Sequence, residues 1–274
     1  MALKDGTYLF EDREGYVPYG HSYYTEDFEK ALKQLDSLYR KTNDLDYLSD
    51  KGLVLILLKR YNEAVQLYLE IEKLQSDRYS TASNIGTAYE LLGDNQQALN
   101  WIKKAIKINP NSHEGSEWIH VKILEAKIKG KAFITTQFLL NTDFGIAAKP
   151  QSNLTKPELQ KLLRALYYQL NERVSFVKPK EKIIALLLFD LGNTAFLLGN
   201  YDDAIQDYKL SIQYGFNKQL IAKRLEEAKK LSMPPEQLNK VVIQKKETNY
   251  YPFWIIGITL TLIVTIFFIY KRKN

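Results

Sequence analysis

The 274-residue chain contains no cysteine. That removes disulfides, thiolate metal sites, redox pairs and cysteine nucleophiles in one step, and leaves the redox compartment undecided. Histidine is scarce, with only His21, His113 and His120. No glycine-rich phosphate loop, nucleophile elbow or dinucleotide fingerprint stands at a strand-to-helix junction. The paired glycines of NIGTAYELLGDN and DLGNTAFLLGN are spaced for helix packing and turns instead. Long hydrophobic runs are missing with one exception: residues 251–270 carry no charge. With 45% hydrophobic and 26% charged residues and a mean hydropathy of −0.32, the remainder has the composition of an ordinary globular protein.

Charge is uneven. Residues 1–129 hold 17 basic and 20 acidic side chains, residues 130–252 hold 18 and 12, and residues 253–274 hold three and none. The pI near 9.1 raises the question of nucleic acid. The positive charge, however, is spread through helical segments and the flanks of the apolar run, without a basic stripe interleaved with aromatics, so nucleic acid is not an expected partner.

The chain repeats itself. Residues 79–112 read as two helical patterns separated by Leu92-Gly93-Asp94-Asn95. Ala82, Ile85, Gly86, Tyr89 and Leu92 form one apolar stripe, and Ala98, Leu99, Ile102, Ala105 and Ile106 form the next. Gly93 ends the first helix and Pro110 marks the end of the second. Gly86 and Ala98 lack bulk where two antiparallel helices must approach closely. This segment resembles the tetratricopeptide repeat, in which small residues sit at the helix crossing, with an aromatic on the first helix, a glycine at the turn and a proline at the close. Gly86, Tyr89, Gly93, Ala98, Ala105 and Pro110 fill those places. One period back, residues 45–78 place Gly52 on Gly86, Ala64 on Ala98 and Tyr68 on Ile102. This copy departs at the turn, where Lys59-Arg60 replaces Gly-Asp, and at the end, where Ser76 replaces proline.

A further step back makes residues 26–40 the second helix of an incomplete copy. Its first helix is not expected, because Gly15, Pro18 and Gly20 interrupt it. A step forward gives one helix over 114–129. Another copy spans 185–216 with Gly192, Gly199, Tyr201, Ala204 and Tyr208, preceded by an amphipathic helix over 157–173 and followed by one over 218–231.

The expected fold is all-α: a TPR-like solenoid of helical hairpins plus one C-terminal transmembrane helix. Its parts are an irregular segment 1–24, a first block 25–130, an insertion 131–155, a second block 156–232, a linker 233–250, the span 251–270 and a basic tail 271–274. Within the insertion, Thr135, Thr136, Phe138 and Leu139 favour extended or irregular backbone.

Stacked helix pairs share a core and curve, with first helices on the concave side. The resemblance implies inward positions at Asp46, Ser49, Asp50 and Leu53 in one copy, Ser80, Ser83, Asn84 and Thr87 in the next, and Glu114, Glu117, Trp118 and Val121 in the third. That surface is polar to acidic. Of the Lys, Arg and Asn with which some family members clamp chaperone carboxylates, only Asn84 is present. An acidic groove repels a carboxylate, so the expected ligand is a protein or peptide segment with basic or neutral side chains.

His113, Glu117 and His120 could share one helical side, and either His113 with Glu117 or Glu117 with His120 has metal-ligand spacing, but third and fourth ligands to such a pair are lacking, and His120 falls on the packed position of Gly52 and Gly86. A hydrogen-bonded, packed histidine is expected. Neither catalytic residues nor a cofactor or metal site is expected.

Residues 251–270 have the length of a membrane span, with Tyr250, Tyr251 and Trp254 at one end, Tyr270 at the other, and Lys271-Arg272-Lys273 beyond. Orientation indications oppose one another. The first fifteen residues lack the apolar stretch of a secretory signal, which places the repeats in the cytoplasm. The basic tail pulls the other way, matched by Lys240, Lys245 and Lys246 upstream, and a signal preceding this sequence would reverse the placement. The sequence therefore reads as a membrane-tethered adaptor recruiting a protein partner, with a permanent assembly subunit of a larger membrane complex as the alternative.

Overall fold

A computed structural model describes residues 1–11, 15–24, 27–176, 181–216 and 219–233. The chain divides into a unit Met1–Lys229 and a unit Lys230–Asn274, and of the second only residues 230–233 are described. The first unit holds helical hairpins in series. Helix α1 (Phe28–Thr42) precedes the pair α2 (Leu45–Leu57) and α3 (Tyr61–Leu74), then the pair α4 (Tyr79–Leu92) and α5 (Asn95–Ile108). Next come α6 (Glu117–Lys129), a short α7 (Thr136–Leu140), the long α8 (Lys156–Phe176), the pair α9 (Lys182–Leu197) and α10 (Tyr201–Gln213), and α11 (Gln219–Ser232).

Local chemistry sets the helix ends. Asp27, Asp44 and Asp94 cap α1, α2 and α5 by accepting the backbone N–H of Lys30, Asp46 and Gln97 at 2.9–3.0 Å. Gly93 closes α4 with φ +87°. In the preceding copy Lys59 takes the corresponding turn at φ +61°, so the turn survives without its glycine.

The three hairpins share one contact. A β-carbon on Gly86 would meet Ile102 Cδ1 at 2.5 Å, and one on Gly192 would meet the Tyr208 ring at 2.7 Å. The Tyr68 ring occupies the same space beside Gly52. Tyr68, Ile102 and Tyr208 are all fully buried, so the small residue on one helix and the large one on its partner set the crossing distance.

Three apolar clusters form among the described residues. One joins the first 10 residues to α1–α4, a small one links Ala98, Leu99 and Ile102 of α5 to Leu124, and the largest runs from α6 through α11. Helix α6 contributes to two of them, Leu124 to the small one and Ile119, Ile123 and Ala126 to the large one. Residues 183–196 of α9 are buried on every side.

The structure corrects the sequence expectation at two places. The helix expected from Glu114 starts at Glu117. His113, Glu114 and Gly115 lie at φ +50°, +54° and +70° in a 3-10 turn, Ser112–Gly115, and helical propagation cannot begin until that left-handed run ends. In the insertion, Thr136–Leu140 is helical: the Thr135 hydroxyl caps it by accepting the Phe138 N–H at 3.2 Å, and burial of Leu139 and Leu140 outweighs the extended preference of the threonines. The rest of the insertion is held by fully buried Arg224 of α11, which donates to the Phe144, Gly145 and Ala147 carbonyls at 2.5–3.2 Å and to Asn193 Oδ1 at 2.6 Å.

The described residues of segment 1–24 form no helix. β1 (Phe10–Glu11) pairs antiparallel with β2 (Ser22–Tyr23), Phe10 opposite Tyr23. Among the described residues no helix is long and apolar enough to cross a membrane. The expected span 251–270, the basic tail and residues 234–250 of the linker lie outside the described residues.

Two outcomes are expected. Gly86→Ala forces Ile102 out of its place and costs about 1–3 kcal/mol, read as a lower melting temperature. Asp207 of α10 is 1% exposed, and neither of its carboxylate oxygens has a hydrogen-bond partner among the described residues. Burial, and then Asp203, push its carboxyl well above the usual carboxylate range. A carboxyl raised on folding withdraws stability as pH climbs from 3.8 through the folded value. Asp207→Asn is therefore expected to stabilise by about 1 kcal/mol or more at pH 8 and to change nothing near pH 3.5, measured by urea denaturation at both.

Candidate functional site

The concave side of the first block is partly closed by the chain itself. Helix α8 crosses it, and described residues of the segment 1–24 lie against both α2 and α8. The Lys4 backbone N–H donates to Asp50 Oδ2 at 2.5 Å, and the Lys4 ammonium reaches Asp46 at 3.1 Å and Asp44 at 3.4 Å. At the other end, Gly20 N–H donates to Asn171 Oδ1 at 2.9 Å and His21 N–H to Ser175 Oγ at 2.8 Å. The His21 ring stacks on Phe10 at 3.9 Å and meets Glu172 Oε1 at 3.1 Å.

What remains is a cavity of about 440 Å3. Its apolar side is Met1, Phe10, Leu53, Ile56, Tyr168 and Phe176. Ser80, Ser83, Asn84 and Thr87 supply a row of small polar groups from α4, beside Tyr79. The remaining wall is ionisable: Glu90, Glu117, His113, His120, Glu172 and Arg173.

That wall is built around Glu90. Arg173 grips its carboxylate with both terminal nitrogens at 2.8 and 3.0 Å, His120 Nε2 lies at 2.7 Å and Lys127 Nζ at 2.8 Å. Lys127 also reaches Glu181 at 3.0 Å. Burial alone would raise the Glu90 carboxyl, but the Arg173 and His120 charges hold it well below the usual range. Burial and Arg173 press the His120 imidazole down, yet Glu90 and Glu117 together lift it above its ordinary 6.5. Glu117 is depressed in the same manner: burial opposes, while His113 and His120 prevail. Its Oε1 lies 2.5 Å from His113 Nδ1 and 3.3 Å from the Tyr79 hydroxyl. Burial, then Glu117, push the Tyr79 phenol up to about 12.

The sequence-derived residues distribute unevenly. Leu53, Ser80, Ser83, Asn84, Thr87 and Glu117 line the cavity. Asp46 and Asp50 lie under Lys4, and Asp46 also takes Arg78 at 2.5 Å. Ser49 is buried, its carbonyl accepting the Tyr68 hydroxyl at 2.8 Å. Glu114 projects outward, 3.9 Å from Arg164. Trp118 is exposed and Val121 packs on the small cluster. His120 is the packed, hydrogen-bonded histidine expected, and among the described residues no cluster of three or more acidic or histidine side chains is arranged to hold a metal ion.

Three residues went unread. Glu90 lies one turn beyond Ser83 and Thr87 on the same face, so extending that row finds it. Gln169 and Arg173 continue the Leu159, Leu162, Leu166 stripe of α8, and the change from leucine to polar side chains on a buried stripe is the signal.

The tetratricopeptide repeat model matches residues 80–112 and 185–214. Both segments are tetratricopeptide repeats. The chain is similar to several solved structures of low identity: a thermophilic TPR protein of Thermus thermophilus (14% identity, 73% of this chain, 90% of that one, TM-score 0.38), a tetratricopeptide repeat protein of Parabacteroides merdae (16%, 74% and 92%, TM-score 0.36) and a double mutant of MamA RS-1 (14%, 69% and 85%, TM-score 0.38). A search of curated proteins returned no match.

Removing the central carboxylate leaves Arg173 without its carboxylate partner in a buried site, and leaves His120 and Lys127 with Glu117 and Glu181 alone. Glu90→Ala is expected to cost about 3–5 kcal/mol in urea denaturation. Wild-type pH dependence follows from the same groups. The contribution of depressed Glu90 and Glu117 is full above about pH 4.5 and is lost as pH falls; that of raised His120 is full below 6.5 and is lost as pH rises through its folded value. Glu90→Ala should therefore flatten the acid limb as well as lower the whole profile.

Proposed function

We propose that this chain is a scaffold that recruits a protein partner to a membrane, the repeats supplying the binding surface and residues 251–270 the anchor. The observation carrying the reading is the combination, in one chain, of a repeat-built cavity lined by the α4 row and an uncharged run long enough to span a bilayer. A tether raises a partner's concentration at the bilayer without any new contact. Residues 234–250 are the spacer in this reading, and the repeats lie on the cytoplasmic side. The partner meets the α4 row from the open side of the cavity, since Lys4 already occupies the acidic start of α2 and α8 covers the far end.

Two measurements test this. A photo-crosslinking residue at Thr87 in the full chain, expressed in its own cells, is expected to give a discrete partner adduct. The same residue at exposed Asn100 of α5, which contributes nothing to the cavity, is expected to give none, and equal labelling at both removes the groove from the reading. A single cysteine at Asn100, free of background in a chain without native thiols, should react with an impermeant maleimide only after lysis and should sediment with membranes. Labelling on intact cells overturns the cytoplasmic placement, and recovery in the soluble fraction overturns the anchor.

A further inference from the structure

The insertion presents an apolar tip that nothing in the repeat array requires. Ile146 is 92% exposed, the most exposed large apolar side chain among the described residues. Its loop is nonetheless fixed. The Gln151 N–H donates to the Phe144 carbonyl at 3.1 Å and closes the loop, Asp143 accepts the Gly145 N–H, and Arg224 of α11 holds the Phe144, Gly145 and Ala147 carbonyls from within. Arg224 is fully buried, and its guanidinium also lies 5.0 Å from the Phe189 ring. An exposed isoleucine on a loose loop is ordinary surface. One held out by a buried arginine on three backbone carbonyls is a fixed projection.

A second apolar group belongs to the same insertion and the same side of α9. Thr136 donates to Asp190 Oδ2 at 2.8 Å, Arg224 donates to Asn193 Oδ1 at 2.6 Å, and the Asn193 amide meets Asp190 Oδ1 at 3.2 Å. Asp190 and Asn193 are one turn apart on α9 and share a face, so both ends of the insertion rest on that face. Just before Thr136, Phe133 is 39% exposed and Ile128 44%. The charge around these side chains is nearly all of one sign. Residues 126–157 hold five lysines against a single acid, Asp143, and Lys129, Lys131 and Lys149 are exposed. Lys129 lies over the Phe133 and Phe138 rings at 5.2 and 5.0 Å. Apolar side chains rimmed by lysine make the kind of surface that enters the headgroup layer of an anionic bilayer.

We propose that the insertion docks on an anionic lipid surface, with Ile146 entering the headgroup layer and Lys129, Lys131 and Lys149 meeting the lipid phosphates. The proposal rests on the membrane anchor of the preceding reading and adds a second contact to it. Arg224, which fixes the loop, is eight residues before Ser232 at the end of α11, about 12 Å along the helix. Residues 234–250 reach at most about 60 Å from there to the uncharged run. A tether of that length keeps the loop at a high effective concentration over the bilayer, so a patch this small suffices for docking. Docking turns one face of the insertion to lipid and thereby fixes which surfaces of the repeats stay open to a partner.

The test uses the full chain in lipid nanodiscs, of phosphatidylcholine alone or mixed with phosphatidylglycerol, with Ala147→Cys as its single thiol carrying an NBD fluorophore. Lipid with a nitroxide near the headgroup is expected to quench this label in the anionic discs at least about twofold more than the same label at Asn100→Cys. The docking constant read from the quenched fraction should fall about fivefold for each of Lys129→Gln, Lys131→Gln and Lys149→Gln, and Ile146→Asp should abolish docking. Equal quenching of the two labels, quenching as strong in neutral discs, or quenching undiminished by Ile146→Asp overturns the proposal. So does a blue shift of the label that grows with protein concentration in detergent without lipid, which identifies a second copy as the occupant. Failure of the chain to co-elute with the discs overturns the anchor instead. The same label is then titrated with phosphatidylglycerol vesicles, where quenching sustains the docking surface and its absence removes it.

Discussion

The carboxylate of Glu90 is the point through which three helices are tied. It belongs to α4 of a consensus repeat, yet its partners come from α6 and α8: His120 and Lys127 from one, Arg173 from the other. An ion buried this completely costs several kcal/mol to desolvate, and attraction offsets that cost only where every lone pair is filled. Here the filling is complete, so any displacement of α8 along its axis strands a charge. The position of the long helix relative to the repeats is thereby specified far more narrowly than apolar contact would specify it.

The site inherits its shape from that constraint. A repeat array by itself presents an open concave surface. In this chain α8 and the described residues of segment 1–24 lie across it, so what would be a groove becomes a cavity with one charged wall and one aromatic wall. The sharing of α6 between two apolar clusters has the same effect on the interior: the hairpins upstream and the large cluster downstream are joined through one helix rather than through a loop.

Periodic features were legible in the sequence and particular contacts were not. Gly52 and Gly86 could be placed at helix crossings because they lie one period apart, and Gly192 because it holds the same place within its own copy; they sit opposite Tyr68, Ile102 and Tyr208. The Gly93 turn and the α4 face followed from the same regularity. Glu114 was misplaced because three consecutive left-handed residues follow no periodic signal, and Thr136 because a cap and two buried leucines overrode local propensity. The closure of the concave side was not legible at all: it depends on Lys4, Gly20 and His21 meeting residues far away in the chain, and nothing in a run of tyrosines and glycines indicates where it will dock.

That distant docking bears on how the protein is made. Gly20 finds Asn171 across 151 residues of sequence, a distance that takes roughly 8–30 s to synthesise at ordinary elongation rates. Throughout that interval α1–α5 can form and stack, while Phe10, His21 and Tyr23 have no Phe176 to pack against. The segment carrying Gly20 and His21 thus leaves the ribosome well before its docking site and settles late, and the cavity is completed only when α8 has emerged.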